Sequence, residues 1–345
     1  MRGSIQKRGK GSWRLLFDLP RDHTGKRRQK SVTVRGTKKK AEAEFSRILA
    51  EVESGGFVDP GNVTVAEYLE KWLTHAASKT SAKTIERYRD ICEQHLIPAL
   101  GSQQLQKLQS VHIQEHYSQA LQGGRLDGQG GLSARTVLHH HRILRQALKQ
   151  AVKWRLLSFN PTDVVEPPRP EYKEVFALDE EQTAKLLNAA EEKTLYIPIL
   201  LAVTTGLRRG EILALRWRDV DINQSVLSVM QSLEQTKDGI RFKAPKTQRS
   251  RRSVTLPAVT VEALRAHKVA QAELRMQLGV GRDENALVCP GLNFQPRSPA
   301  AFTREFTRFA SQLEMPRITF HGLRHTHASQ LLRAGVHPKV AQERL

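Results

Sequence analysis

Apolar residues recur on two different periods along this chain, and the change of period divides it. Near the start, Trp13-Arg-Leu-Leu-Phe-Asp-Leu19 and Lys30-Ser-Val-Thr-Val34 are rich in aromatic and β-branched residues and predict strands, with a turn-like Asp22-His-Thr-Gly-Lys26 between them. From Thr37 the spacing becomes helical, with Ala41, Phe45, Ile48 and Leu49 on one face and Gly55 as a stop. Gly55-Gly56 and Asp59-Pro60-Gly61 then mark a boundary.

The next stretch reads as helix throughout. Thr64-Val-Ala-Glu67 has the form of a capping box and is followed by Tyr68, Leu69, Trp72 and Leu73 at helical spacing. A second helix turns Ile85, Tyr88 and Ile91 or Cys92 inward, and a third spans 111–122. Ser133 caps a long helix running through Val137, Ile143, Leu144, Leu148 and Val152 to Trp154. Asn160-Pro161 and Pro167-Pro168-Arg-Pro170 predict a stiff, extended linker. The remainder is mixed: helices over 180–190 and 196–203, one alternating strand over 226–233, a turn at Lys237-Asp-Gly239, a strand over 251–256, then helices. The expected fold class is multidomain α+β. It comprises a small N-terminal β-sheet plus helix (1–59), an all-α domain (60–165), and a mainly α domain with a small β-sheet (166–345).

Charge narrows the function. The chain has 345 residues, with 55 Lys plus Arg against 35 Asp plus Glu, a formal net charge of +20. Each of the three stretches is itself net basic, which points to a polyanion met along the whole chain rather than to one basic tail. The two cysteines, Cys92 and Cys289, exclude a disulfide scaffold and Cys-based zinc modules. No signal-peptide run and no apolar stretch of about 18 residues is present, so the chain reads as soluble and cytoplasmic, with no membrane partner.

Two stretches carry chemistry: Thr205-Gly-Leu-Arg-Arg-Gly-Glu-Ile-Leu-Ala-Leu-Arg-Trp217 and Phe320-His-Gly-Leu-Arg-His-Thr-His-Ala-Ser329. Between them stands Pro245-Lys-Thr-Gln-Arg-Ser-Arg-Arg-Ser253, at a turn leading into a strand. His321 and Arg324 are three apart and share a helical face, as do Arg208 and Glu211 behind a helix start expected at Thr205-Gly206. Arginine forks, a lysine and a histidine at one point suit a phosphodiester whose charge grows in a transition state. His321, His325 and His327 lack a neighbouring carboxylate or cysteine and make a poor metal site. His139-His-His141 points around different sides of its helix and is expected at the surface, with a DNA contact open to it. Lys83, Thr84 and Arg87 at one helix start and Arg135, Arg142 and Arg145 along another are candidate DNA-phosphate contacts, with a merely solvated face as the alternative.

Together these motifs make the chain resemble the tyrosine recombinases, and among them the phage integrases, over essentially its whole length. The resemblance implies an arm-type DNA-binding domain, a helical, SAM-like core-binding domain and a catalytic domain, in that order. It implies strand cleavage and rejoining through a 3′-phosphotyrosine without metal or nucleotide cofactor. By motif, Arg208 and Arg324 would clamp the scissile phosphate, Lys246 would protonate the leaving 5′-oxygen, His321 would assist proton transfer, and Glu211 would orient its neighbours. The partners implied are double-stranded DNA attachment sites, a tetrameric synapse of like subunits and accessory DNA-bending proteins.

The same resemblance calls for Leu-Gly-His and then a tyrosine nucleophile after the second arginine motif, whereas the sequence stops at Gln342-Glu-Arg-Leu345 and Tyr68, Tyr88, Tyr117, Tyr172 and Tyr196 all precede Arg208. The expectation is therefore a chain cut short before its nucleophile, inside a helix begun by Pro338, with Val340, Ala341 and Leu345 as an apolar stripe. Such a chain is a fragment of an active recombinase, a truncated product, or one that receives a tyrosine in trans. As an alternative function it occupies integrase sites without cutting.

Overall fold

In the computed structural model the described residues are 3–19, 28–53, 61–172, 176–244, 252–281, 283 and 285–344. The chain divides into two compact units, Met1–Glu171 and Tyr172–Leu345. The fold is mixed α+β, mostly helical with small antiparallel sheets. The turn at 22–26, the boundary glycines Gly55 and Gly56, and Lys246 lie outside the described residues.

The first unit holds two separate hydrophobic clusters. Strands β1 (Gly3–Gly9), β2 (Ser12–Leu19) and β3 (Arg28–Arg35) form an antiparallel sheet, against which α1 (Lys38–Glu53) packs Ala41, Ile48 and Val52 over Leu15 and Phe17. Strand β1 was not expected: its only apolar residue, Ile5, gives no alternation to read, and its side chains are otherwise exposed.

The second cluster gathers five helices: α2 (Val65–Ala77), α3 (Ala82–Ile91), the short α4 (Ile97–Leu100), α5 (Ser110–Gly123) and α6 (Ala134–Lys153). The capping box of α2 forms as the sequence predicts, with Glu67 N donating to Thr64 Oγ1 at 3.2 Å and Thr64 N to Glu67 Oε2 at 2.8 Å. A π-helical turn, Cys92–Leu96, joins α3 to α4 and carries His95. Two expectations fail here. Asn160-Pro161 is part of the helical core, not a linker: buried Asn160 donates to Arg145 O at 3.2 Å and accepts from Thr162 N at 3.1 Å. His140 and His141 are buried, because with Val137, Leu144 and Leu148 they fill the inward stripe of α6.

The second unit is built around α7 (Glu180–Ala190), the mostly apolar α8 (Tyr196–Thr205), the short α9 (Arg209–Ala214), α10 (Ala258–Gln277), α11 (Pro299–Ser311), α12 (Phe320–Arg333) and α13 (Pro338–Arg344). One sheet joins β4 (Val220–Asp221), β5 (Val226–Ser228) and β8 (Ser253–Thr255), and a hairpin joins β6 (Ser232–Thr236) to β7 (Gly239–Lys243). The expected single strand over 226–233 is thus two strands in two sheets. Leu227, Val229 and Leu233 are all buried, so period-2 burial runs straight through the break and hides it. Gly239, at φ +124°, closes the hairpin at the expected turn. In α13, Ala341 is buried and Val340 is 55% exposed, while Leu345, the third residue of the expected stripe, lies outside the described residues.

Candidate active site

Helix α8 ends where a start was expected. Gly206 adopts φ +66° and caps its C-terminus, its N–H bonding Ala202 O, and the chain reverses so that Arg208 becomes the N-cap of α9. A second glycine, Gly210, lets α9 lie on β6: a Cβ there would stand 2.5 Å from Ser232 Oγ and 2.7 Å from Leu233 O. Helix α12, capped by Thr319 accepting from Gly322 N at 3.1 Å, packs beside α8 and brings Arg324 Nη1 within 2.6 Å of Gly206 O. Buried Thr326 and His327 fix this helix, the first accepting from Leu178 N at 3.0 Å and the second holding Nδ1 2.9 Å from Val203 O.

Glu211 is the hub. Its buried carboxylate accepts from Arg208 N at 2.8 Å and Arg208 Nη1 at 3.0 Å. It also accepts from Arg252 Nη1 at 3.2 Å and Nη2 at 2.9 Å. Burial opposes its charge, but the bonds from Arg252 and from the Arg208 backbone outweigh this and hold the carboxyl below its ordinary pKa. Arg324 shows the opposite strain: burial first, then the charges of Arg208 and Arg252, push its guanidinium down to about 10. His321, one turn before Arg324, is lowered by burial and by the charges of His325, Arg324 and Arg208. Among the described residues the cluster therefore carries Arg208, Arg252 and Arg324 against the Glu211 carboxylate, and Arg208 remains half exposed at 53% while Arg252 is 9% exposed. Such an arrangement recruits an anion with two or more oxygens.

Of the sequence-predicted site, the structure brings together Arg208, Glu211, His321 and Arg324; Lys246 follows β7 and lies outside the described residues. Arg252 was missed. Its only sequence signal is the Arg251-Arg252 pair before a strand, and its partner Glu211 lies 41 positions away. His325 stacks edge-on against His321 with ring centroids 4.9 Å apart. Among the described residues no three His, Cys, Asp or Glu side chains are grouped to hold a metal, and no helix is long and apolar enough to cross a membrane.

The candidate DNA contacts of the first unit separate into two kinds. Burial, and then the charges of Arg87, Arg142 and Arg135, push the His139 imidazole below its ordinary pKa, so these residues of α3 and α6 form one basic patch. Lys83 instead pairs with Glu86 at 2.6 Å, Arg145 with Asp163 at 2.9 Å, and Thr84 Oγ1 lies 2.8 Å from Ser81 Oγ.

Residues 177–345 match the phage integrase family, and residues 64–121 match the phage integrase N-terminal SAM-like domain. The chain belongs to the phage integrase family. A tyrosine recombinase XerC-like protein of Caldanaerobacter subterraneus subsp. tengcongensis is 27% identical, over 98% of this chain and 90% of that protein. Among solved structures, the Tn1549 transposon integrase with a circular intermediate DNA aligns at a TM-score of 0.67 and 22% identity, over 82% of this chain and 90% of that one. A lambda integrase tetramer on a Holliday junction aligns at 0.58 and 21%, over 99% of this chain and 94% of that one. The two family matches fall one in each unit, and these neighbours share the fold.

Proposed function

We propose that this integrase-family chain is a site-specific DNA recombinase in which Arg208 and Arg324 grip the nonbridging oxygens of a scissile phosphate. The observation that carries the reading is the cluster of Arg208, Arg252 and Arg324 around the carboxylate of Glu211. Donors held in place before the reaction stabilise charge as it develops, without reorganising water. A tyrosine oxygen attacks phosphorus, forming the 3′-phosphotyrosine as the P–O5′ bond breaks, and Lys246 delivers the proton to the leaving 5′-oxygen. His321 moves the nucleophile's proton, and its lowered pKa keeps a neutral, accepting imidazole at pH 7. Rejoining reverses these steps and needs no ATP, because the phosphotyrosine conserves the bond energy. Residues 1–59 take the arm-type DNA-binding role, 60–165 grip the core site, with Arg87, Arg135 and Arg142 as backbone contacts, and 166–345 carry the chemistry.

The attack belongs to none of the five tyrosines. Tyr68 donates to Ala147 O at 2.5 Å, Tyr88 to Gln146 Oε1 at 3.0 Å, and Tyr117 lies 3.0 Å from His141 Nδ1. Tyr196 opens α8, about 15 Å of helix from Gly206, and Tyr172 is 88% exposed. Partners are duplex attachment sites and three further copies in a synapse, as the lambda integrase tetramer suggests.

Selection of bound duplexes from a random library gives the site, and a nicked copy of that duplex tests the chemistry. The expected result is salt-sensitive binding, no adduct from a polypeptide limited to residues 1–345, and an adduct when a tyrosine-bearing copy is mixed in. Arg324→Ala then lowers adduct formation by roughly 10²–10³-fold while duplex binding persists. Binding indifferent to salt sinks the DNA reading. An adduct mapped to one of the five tyrosines sinks the division of roles, and no adduct under any mixture leaves a protein that occupies sites without cutting.

A further inference from the structure

We propose that Arg252 is a positioning residue that couples the seating of α13 to the phosphate grip of Arg208, an inference that rests on the reading of that grip given above. Three residues close a circuit between β8 and the last helix. Arg252, just before β8, gives two N–H groups to Glu211 and its third, Nε, to Arg344 O at 3.0 Å. Arg344 returns Nη2 to Thr255 O on β8 at 3.0 Å.

A guanidinium is planar, so its three nitrogens cannot move independently. Displacing the Arg344 carbonyl rotates the plane, and the fork on Glu211 rotates with it. Glu211 already accepts four N–H groups, two from Arg252 and two from Arg208, which is about what a carboxylate can take. Any withdrawal of Arg252 opens a buried acceptor, and the donor able to fill it is the half-exposed Arg208 side chain. Seated, α13 keeps Arg252 on Glu211, so Arg208 gives the carboxylate one side-chain N–H and keeps the rest of its 53%-exposed guanidinium for phosphate. Unseated, it lets Arg208 give a second N–H to the vacated oxygen and turn away from phosphate. By reciprocity, a phosphate that holds Arg208 outward favours the seated helix. The same carboxylate thus reports on the last helix and aims the arginine that meets DNA. Neither the spacing of the motifs nor the burial of Glu211 alone provides this link.

The test is hydrogen exchange of the amides of residues 340–344, with and without a duplex selected for binding to the chain. In the unaltered protein, the duplex slows this exchange by roughly 5-fold or more, the low end of ordinary coupling between sites. Arg252→Lys keeps a positive charge on Glu211 but offers one nitrogen in place of three. It is expected to bind the duplex while the exchange of 340–344 becomes the same with and without it. Arg252→Met should do likewise, and the lysine variant decides the matter if the methionine one melts. A helix that is merely packed against β8 would loosen in both variants yet still respond to DNA. The inference is overturned if the duplex protects residues 206–212 but leaves 340–344 unchanged in the unaltered protein, or if Arg252→Lys retains the full slowing. A duplex that binds without protecting 206–212 instead overturns the phosphate grip itself, and the coupling with it.

Discussion

Glu211 shows how one buried charge sets the character of a site. Ionised, it gathers Arg208 and Arg252; protonated, it would leave their charges and that of Arg324 without its counter-charge. Its folded pKa lies below the ordinary value, so the stability it contributes is present above the unfolded carboxyl value of about 4.3 and is lost as pH falls through the folded one. Thermal melting in pH steps should therefore show the second unit weakening below about pH 4. Glu211→Gln should flatten that acid limb and cost roughly 3–5 kcal/mol at pH 7, because it strands the 9%-exposed Arg252 without a counter-charge. Equal melting of the variant and the parent at pH 7 would mean that the ion pair is not what holds this site together.

Among elements, α5, α6 and the π-helical turn meet around histidines, and the reason is packing. His140 is fully buried with neither ring nitrogen bonded to a protein group, its ring centroid 4.6 Å from that of His95 and 5.6 Å from that of His116. Burial, with the charges of neighbouring histidines, pushes His140 down to about 3 and His116 to about 4. Both stay neutral in the fold, whereas the unfolded chain takes up their protons below about pH 6.5. The unfolded state thus binds more protons in that window, and stability falls as pH drops from 6.5 toward 4, by at most about 1.4 kcal/mol per pH unit for each histidine. His140→Leu is expected to lessen that slope in urea titrations of the whole chain and to raise stability near pH 7. A loss at pH 7 would show that ordered water satisfies the ring. This burial was legible in principle, since 137, 140, 141, 144 and 148 share one helical face, but three consecutive histidines drew attention to their polarity instead of their phase. Elsewhere the element pattern was legible wherever local rules decide it: the Thr64 box, the Ser133 cap and the apolar α8. It failed where partners are distant. Strand β1 depends on pairing with β2, the break near Val229 on a choice between two sheets, and Arg252 on a carboxylate 41 residues away.

At the scale of the whole molecule the net charge of +20 sets how the chain meets DNA, but it is not spent evenly. On the helical core of the first unit, Lys83 and Arg145 are matched by Glu86 and Asp163, while Arg87, Arg135 and Arg142 crowd around His139. Like charges held together destabilise the free protein and are relieved when phosphates displace solvent counterions, so the patch should carry more of the salt dependence than the paired residues do. The slope of log affinity against log salt is expected to shrink by roughly 0.9 for each of Arg87, Arg135 and Arg142 replaced by alanine, and far less for Lys83→Ala or Arg145→Ala. His139 supplies an independent readout. Burial, and then the arginines, hold its pKa down in the free protein, and phosphate on the patch offsets the arginines, so binding draws a proton toward the ring. Affinity should then rise as pH falls below neutrality, and His139→Gln should remove that rise while leaving the salt slope in place. Equal slopes for Lys83 and Arg145 on one side and Arg87, Arg135 and Arg142 on the other would place the DNA path elsewhere on the molecule. A pH response that survives His139→Gln would move the proton to another group.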